Sequence, residues 1–159
     1  MARIQFLADA PSHVDQLADW HHAQWQYLYP DWTHDTARAE LLEHAHCKTL
    51  PTTLVLIEND ELLGSVSLLE VDAEALTHIG SPWLASLYVK PGARGKGFGA
   101  QLVKALMQHA ENISVEKIFL FTPEHKAFYQ QLGWQAVRNE NLNGQQVDVM
   151  SYRVSEKIA

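Results

Sequence analysis

A glycine-rich stretch near the middle of the chain has the residue types of an anion site. In "VKPGARGKGFGAQL", residues 89–102, glycine stands at every second position from 95 to 99, Arg94 and Lys96 lie among the glycines, and an apolar run with helical spacing follows. Glycine at this density weakens a regular element. The amides that begin a helix are unpaired, however, and they bind anions where the backbone is bare. The stretch therefore predicts an anion cradle that leads into a helix.

Two nucleotide-binding loops share part of this spacing. Gly92 and Gly97 are spaced as in a Walker A loop, but Phe98 and Gly99 stand where that loop needs Lys and Ser/Thr. The dinucleotide fingerprint G-x-G-x-x-G/A is also met, by Gly95, Gly97 and Ala100. Its ribose-binding acid is expected at the end of the next strand, whereas Glu116 opens that strand. Neither alternative has its chemistry complete.

A third pattern, [Q/R]-x-x-G-x-[G/A], is met by Arg94, Gly97 and Gly99, directly after the apolar segment "LASLYV". With "LYVKPGARGKGFGAQLV" and the later segment "AFYQQLGW", residues 127–134, the chain resembles the GNAT superfamily of N-acetyltransferases. The first segment is similar to that family's acetyl-CoA loop, and the second is similar to its "YEKLGF" segment. The resemblance covers residues 50–154, whereas the first 50 residues agree in element order only.

The resemblance implies direct transfer of acetyl from acetyl-CoA, the co-substrate, to an amine. The pantetheine arm would lie along the strand before the loop and enter a gap between that strand and the next parallel one. The N–H of Val89 would stabilise the oxyanion, and Tyr129 would protonate the leaving thiolate. Thr122 stands where the family often has Asn. The coenzyme contacts implied are Leu87, Tyr88, Val89, Arg94, Gly95, Lys96, Gly97, Phe98, Gly99, Ala100 and Thr122.

The resemblance also implies that the joint between the first two helices, "WQYLYPDWTHD", shapes the acceptor site. There Trp25, Tyr29, Asp31 and Trp32 form an aromatic and acidic group suited to a cationic amine, although ordinary packing would also use such residues. The general base stays open. A chain of water molecules could serve, and the candidate side chains are Glu70, Asp72, Glu74 and His78.

The elements that position these residues follow from the hydrophobic periodicity. We expect a strand over residues 3–7, two helices, a hairpin over residues 52–71, a strand over 83–89 and a helix from Phe98. A strand over 115–121, a short helix starting at residues 122–124 and two closing strands around a loop at 139–144 complete the order β-α-α-β-β-β-α-β-α-β-β. The pattern predicts an α/β fold, with a mixed central sheet of six to seven strands and helices on both faces, as in the GNAT fold.

Composition bounds the function further. A length of 159 residues suits one domain, here a single GNAT domain over residues 1–159. A net charge of −7 disfavours nucleic-acid binding. One cysteine excludes a disulfide framework, and we expect a cytoplasmic protein without a membrane span. The histidine pairs at 21–22 and 44–46 lack metal-ligand spacing, so no metal is expected.

The sequence therefore predicts an acetyl-CoA-dependent N-acetyltransferase of a small amine, with a homodimer as a common state for such a fold. The alternative is a non-catalytic module of the same fold that binds or senses acyl-CoA. The identity of the acceptor is not encoded in any of these motifs.

Overall fold

A mixed sheet of seven strands forms the centre of the computed structural model, which describes residues 1–154. The strand order is β1-β2-β3-β4-β5-β7-β6, and every neighbouring pair is antiparallel except β4 and β5. The strands are β1 (Arg3–Phe6), β2 (Thr52–Glu58), β3 (Glu61–Leu69), β4 (Trp83–Val89), β5 (Lys117–Thr122), β6 (Gln135–Leu142) and β7 (Gln145–Arg153). The predicted fold class is confirmed.

Four α-helices flank the sheet in the predicted order: α1 (Val14–Trp25), α2 (His34–His44), α3 (Phe98–Asn112) and α4 (Lys126–Gln131). Thr33 caps α2, because its hydroxyl accepts from the Thr36 N–H at 3.1 Å. No described helix has both the length and the apolar character needed to cross a bilayer.

Side-chain alternation along the strands separates two cores. On β2, Leu54 and Leu56 join a cluster with Leu102 and Leu106 of α3. The intervening Val55 and Ile57 pack instead in a cluster that α1 and α2 supply. A strand turns alternate residues to opposite faces, so helices cover both faces of the sheet, as predicted.

Two tight turns close the two hairpins of the sheet, and one of them is shorter than the expected loop. The β2–β3 turn consists of Asn59 and Asp60, with φ of 52° and 63°, and the β6–β7 turn consists of Asn143 and Gly144, with φ of 50° and 87°. Two residues with positive φ match the right-handed twist of the flanking strands. The loop expected at residues 139–144 is therefore wrong: most of it is strand.

The short helix α4 also begins later than expected. The Thr122 hydroxyl accepts from the His125 N–H at 3.0 Å, which closes a turn before the helix. The helix starts at Lys126 rather than at residues 122–124. Local Ser/Thr bonds of this kind compete with the helix.

Candidate active site

The two parallel strands at the centre of the sheet separate soon after they meet. Only Trp83 and Phe119 are paired between β4 and β5, with one further bond from the Phe119 N–H to the Pro82 carbonyl at 3.0 Å. Beyond that point, no strand within residues 1–154 pairs with Leu87 to Val89 on the β5 side. The separation that the sequence analysis expected between these two strands is present.

The backbone of β4 turns unpaired amides toward this gap. Lys90 N–H donates to Leu63 O of β3 at 2.9 Å. Successive residues of a strand direct their N–H groups to opposite sides, so the Val89 N–H points away from β3. On that same side, the Val89 carbonyl accepts from Arg94 Nε at 2.8 Å. Val89 therefore has the orientation that an oxyanion donor would need.

The glycine loop leaves the start of α3 bare. Gly97 is the N-cap, with φ of 81°, and no side chain caps the helix. Gly95 has φ of 79°, and a Cβ at Gly95 or Gly97 would meet no protein atom within 4 Å. A Cβ at Gly99 would make only an ordinary contact with Phe128, at 3.7 Å. The positive φ of Gly95 and Gly97 itself favours glycine at these two positions. The space beside all three glycines is open, which leaves room for an anion at the free amides of the helix.

Arg94 and Lys96 lie exposed at the rim of the loop. The Arg94 guanidinium lies 5.5 Å from the centre of the Tyr88 ring, which also contacts Trp20 at 5.2 Å. Phe98 and Ala100 begin α3 half-buried, and Phe98 packs against the core. The loop residues predicted to contact the coenzyme thus form one surface at the end of β4.

A cavity of about 680 Å³ opens at this gap, with residues of both β4 and β5 in its lining. Its lining includes Ser86 and Leu87 of β4, Thr122 at the end of β5, and Tyr129 of α4. The opposite wall carries aromatic and acidic residues. That wall contains Trp25, Tyr29, Trp32, Glu40, Glu43, Glu70, Asp72 and Glu74.

Tyr129 is held by packing at the cavity wall. It is 7% exposed, its ring contacts Phe128 and Trp134 at centroid distances of 5.0 and 6.1 Å, and burial raises its pKa. A phenol is protonated at neutral pH even at its ordinary pKa, so Tyr129 carries a proton that it could donate into the cavity. Thr122 is also buried, and its hydroxyl retains an O–H donor after it accepts from His125.

The aromatic wall agrees in part with the acceptor residues predicted from sequence. Trp25, Tyr29 and Trp32 line the cavity, whereas Asp31 is exposed and is not among its lining residues. Trp32 Nε1–H donates to Glu40 Oε1 at 2.9 Å. The Tyr29 hydroxyl is buried without a hydrogen-bond partner in residues 1–154, and burial followed by the charge of Asp72 raises its pKa.

The acidic residues of the wall include two that sequence reasoning missed. Glu40 and Glu43 lie on α2, where no local pattern distinguishes them from solvated surface positions. Asp72 follows β3, and burial, with a smaller contribution from Glu40, raises its pKa to about 7. Glu70 and Glu74 also line the cavity, whereas His78 is exposed outside it.

Chemically, the site joins a backbone anion cradle to a cavity with a proton donor on one wall and carboxylates on the other. Among residues 1–154, no Lys or Arg lines the cavity. Within the described part of the chain, no group of three or more His, Cys, Asp or Glu side chains is arranged to hold a metal ion. The arrangement fits an anionic carrier at the loop and a cationic acceptor in the cavity.

Comparison with known proteins agrees with this geometry. A sequence model described as the acetyltransferase (GNAT) family matches residues 14–134. No curated protein sequence matches significantly.

Solved structures share the fold at low identity. An aminoglycoside 6'-N-acetyltransferase complexed with coenzyme A is 20% identical, with a TM-score of 0.76 over 99% of both chains. An aminoglycoside 6'-N-acetyltransferase from Enterococcus faecium is 19% identical, with a TM-score of 0.74 over 99% of both chains. The protein yncA from Salmonella typhimurium, solved with acetyl-CoA, is 16% identical, with a TM-score of 0.71 over 99% of this chain and 96% of that one.

The family match covers both the glycine loop and the tyrosine segment, the two motifs from which the resemblance was drawn. The chain belongs to the acetyltransferase (GNAT) family.

Proposed function

We propose that this chain, as a single domain over residues 1–159, is an acetyl-CoA-dependent N-acetyltransferase whose acceptor is a small cationic amine. The observation that carries the proposal is the cavity beside the β4–β5 gap, with Tyr129 on one wall and carboxylates on the other. Family membership supports acetyl transfer, and structural neighbours solved with coenzyme A or acetyl-CoA support the donor. Two of the neighbours are aminoglycoside N-acetyltransferases, which supports an amine acceptor.

The glycine loop would hold the donor's pyrophosphate. Gly97 and Gly99 leave room beside the free amides of α3, and the positive end of the helix dipole favours an anion there. Arg94 and Lys96 add charge at the rim. Leu87 and the rest of the β4 end would pair with the pantetheine arm in place of a strand, since no other strand occupies that side.

The chemical step needs a stabilised oxyanion and two proton transfers. The Val89 N–H would donate to the carbonyl oxygen as the acceptor nitrogen attacks the thioester carbon, and a fixed amide at developing charge is a large catalytic contribution. The tetrahedral carbon then loses the thiolate, and Tyr129 would give its proton to that sulfur. The acetyl group ends on the nitrogen and the carbon–sulfur bond is broken. The proton that the nitrogen must still lose to become an amide would pass, directly or through water, to the Tyr129 phenolate, which restores the phenol.

Deprotonation of the acceptor is assigned to Asp72. An ammonium cannot attack until it loses a proton, and a carboxylate with a pKa near 7 is matched to that task at neutral pH. The ring faces of Trp25, Tyr29 and Trp32 would hold the cation beside it. Glu40, fixed by Trp32, would add negative charge on the same wall.

The test is an acetyl-CoA turnover assay across monoamines, diamines, polyamines, aminoglycosides and amino acids, read as released thiol. We expect turnover with cationic amines and little with neutral or anionic ones. Glu40→Gln should raise KM for the acceptor, and Glu111→Gln, at the exposed end of α3, is the matched control. Tight acetyl-CoA binding without turnover of any amine would instead indicate a non-catalytic acyl-CoA-binding module.

A further inference from the structure

Strand β4 contains a bulge beside the cavity. Ser65 of β3 is opposite Tyr88 of β4, and Ser67 is opposite Ala85, so the single residue between the two serines faces both Ser86 and Leu87. Ser86 has φ of 56°, a left-handed conformation that a residue other than glycine rarely adopts. Such a conformation persists only where the surroundings hold it.

Two buried hydrogen bonds in series connect helix α1 to this bulge. The Ser65 hydroxyl donates to the Ser86 carbonyl at 3.4 Å, and His21 Nε2 lies 2.9 Å from the same hydroxyl oxygen. The single hydroxyl hydrogen of Ser65 is used toward Ser86, so His21 must donate its Nε2–H to Ser65. The order of donation is therefore His21 to Ser65 to Ser86.

These polar groups lie where apolar ones would be easier to accommodate. His21 is 4% exposed and Ser65 is fully buried, between the sheet and a helix whose other inward residues include Leu17 and Ala18. Burial lowers the pKa of His21 to about 3, so the imidazole is neutral at physiological pH. Burying polar groups costs free energy that a pair of apolar residues would not.

We propose that His21 and Ser65 are positioning residues, which hold the Ser86–Leu87 peptide so that the Leu87 N–H faces the pantetheine arm of acetyl-CoA. The C=O and N–H of a trans peptide point in opposite directions. Fixing the Ser86 carbonyl toward Ser65 therefore fixes the Leu87 N–H away from it. The inference rests on the proposed function for the identity of the donor, and on the contacts of β3, β4 and α1 for the geometry.

The double variant His21→Leu/Ser65→Ala tests this proposal. Removing both polar side chains leaves neither of them buried and unpaired, and the Ser86 carbonyl, half-buried at the cavity wall, can bond to water instead, so the folded state should retain its Tm. Loss of one well-placed peptide donor should weaken acetyl-CoA binding about fivefold, measured by calorimetry. Turnover with the best amine of the panel should fall by about tenfold or more, because the thioester is no longer held in one place.

Two further variants separate positioning from packing. Ser67→Ala removes a hydroxyl from the same strand that bonds to Thr53 at 2.7 Å and not to β4, so its acetyl-CoA affinity and turnover should match the wild type. The single variant His21→Gln keeps Ser65 and places a donor amide on a side chain of similar reach. Its acetyl-CoA affinity and its turnover should therefore lie between those of the double variant and those of the wild type. Full affinity and turnover in the double variant would overturn the proposal.

The measurement of acetyl-CoA affinity distinguishes failure of this inference from failure of the proposed function. If the wild type binds acetyl-CoA but acetylates no amine, the proposed activity fails, and a fivefold loss of affinity in the double variant still supports the positioning role. If the double variant loses affinity only together with its Tm, or if Ser67→Ala loses as much, the residues serve folding alone and the inference is wrong.

Discussion

The anion cradle can be tested by an isosteric pair of substitutions at Gly99, the second residue after the α3 N-cap. A Cβ at this position would meet only Phe128, at 3.7 Å, and the residue does not have positive φ. Gly99→Asn and Gly99→Asp should therefore both fold. The two side chains have the same shape and differ in one negative charge, so their difference isolates the electrostatics of the site.

The expected magnitude follows from the position. A carboxylate at Gly99 would lie about 5 Å from a pyrophosphate held at the free amides of α3. At that distance two unit charges repel by about 0.8 kcal/mol in water and about 3 kcal/mol at a protein surface of lower effective dielectric. Gly99→Asp should thus bind coenzyme A about 4- to 160-fold more weakly than Gly99→Asn.

The stability of the free protein should move in the opposite direction. A carboxylate in the first turn of a helix interacts favourably with its dipole, so Gly99→Asp without ligand should be more stable than Gly99→Asn by about 0.3–1 kcal/mol. Calorimetry at low and high salt and chemical denaturation give both quantities, and the affinity gap should narrow as ionic strength rises. Equal coenzyme affinity of the two variants at low salt would refute the cradle.

Three other outcomes follow from the site. Tyr129→Phe should keep acetyl-CoA affinity within about twofold and lower kcat by about 10²-fold or more, the range for loss of a general acid; unchanged turnover would remove its role as proton donor. Turnover should rise with pH through about 7 as Asp72 ionises, and Asp72→Asn should abolish this rise. Because the folded-state pKa of Asp72 is raised, its ionisation destabilises the fold from about pH 4 upward, so Asp72→Asn should raise Tm at pH 8 but not at pH 4. Burial lowers the pKa of His21 to about 3 and that of His44 to about 4. Below pH 6.5 each imidazole binds a proton more readily in the unfolded chain, so the free energy of unfolding should be highest above pH 6.5 and should fall by about 1.4 kcal/mol per pH unit for each histidine below it. Urea denaturation at several pH values measures this fall.

The elements could be predicted because their patterns are local. The alternation of Leu54 to Ile57 and the helical spacing of Leu102 and Leu106 each specify one element and its buried face. The errors lie where a side chain competes with the backbone. Thr122 closes a turn that delays α4, and Asn143 adopts the positive φ that turns an expected loop into a tight hairpin.

The donor side of the candidate site was also accessible from sequence, since its residues lie in two short segments. The acceptor side was not, because its acidic wall is assembled from distant segments. Glu40 lies on α2 and Asp72 follows β3, and neither has a local pattern that distinguishes it from a solvated residue. Only the folded structure, in which Tyr29 and Trp32 line the cavity together with Glu40 and Asp72, shows that these two carboxylates belong to one wall.

The separation of β4 from β5 has a consequence for the cooperativity of the whole protein. One residue pair joins a four-stranded half, β1 to β4, to a three-stranded half, β5 to β7. Apart from this pair, the halves are held together by the apolar cluster that α3 shares with strands of both halves. Backbone pairing adds little to that contact, so amide hydrogen exchange of the free protein should follow two classes of protection rather than one. A ligand that bonds across the gap would merge the two classes. The coenzyme would then act as the missing stretch of sheet, and its presence would decide whether the chain unfolds in one step or two.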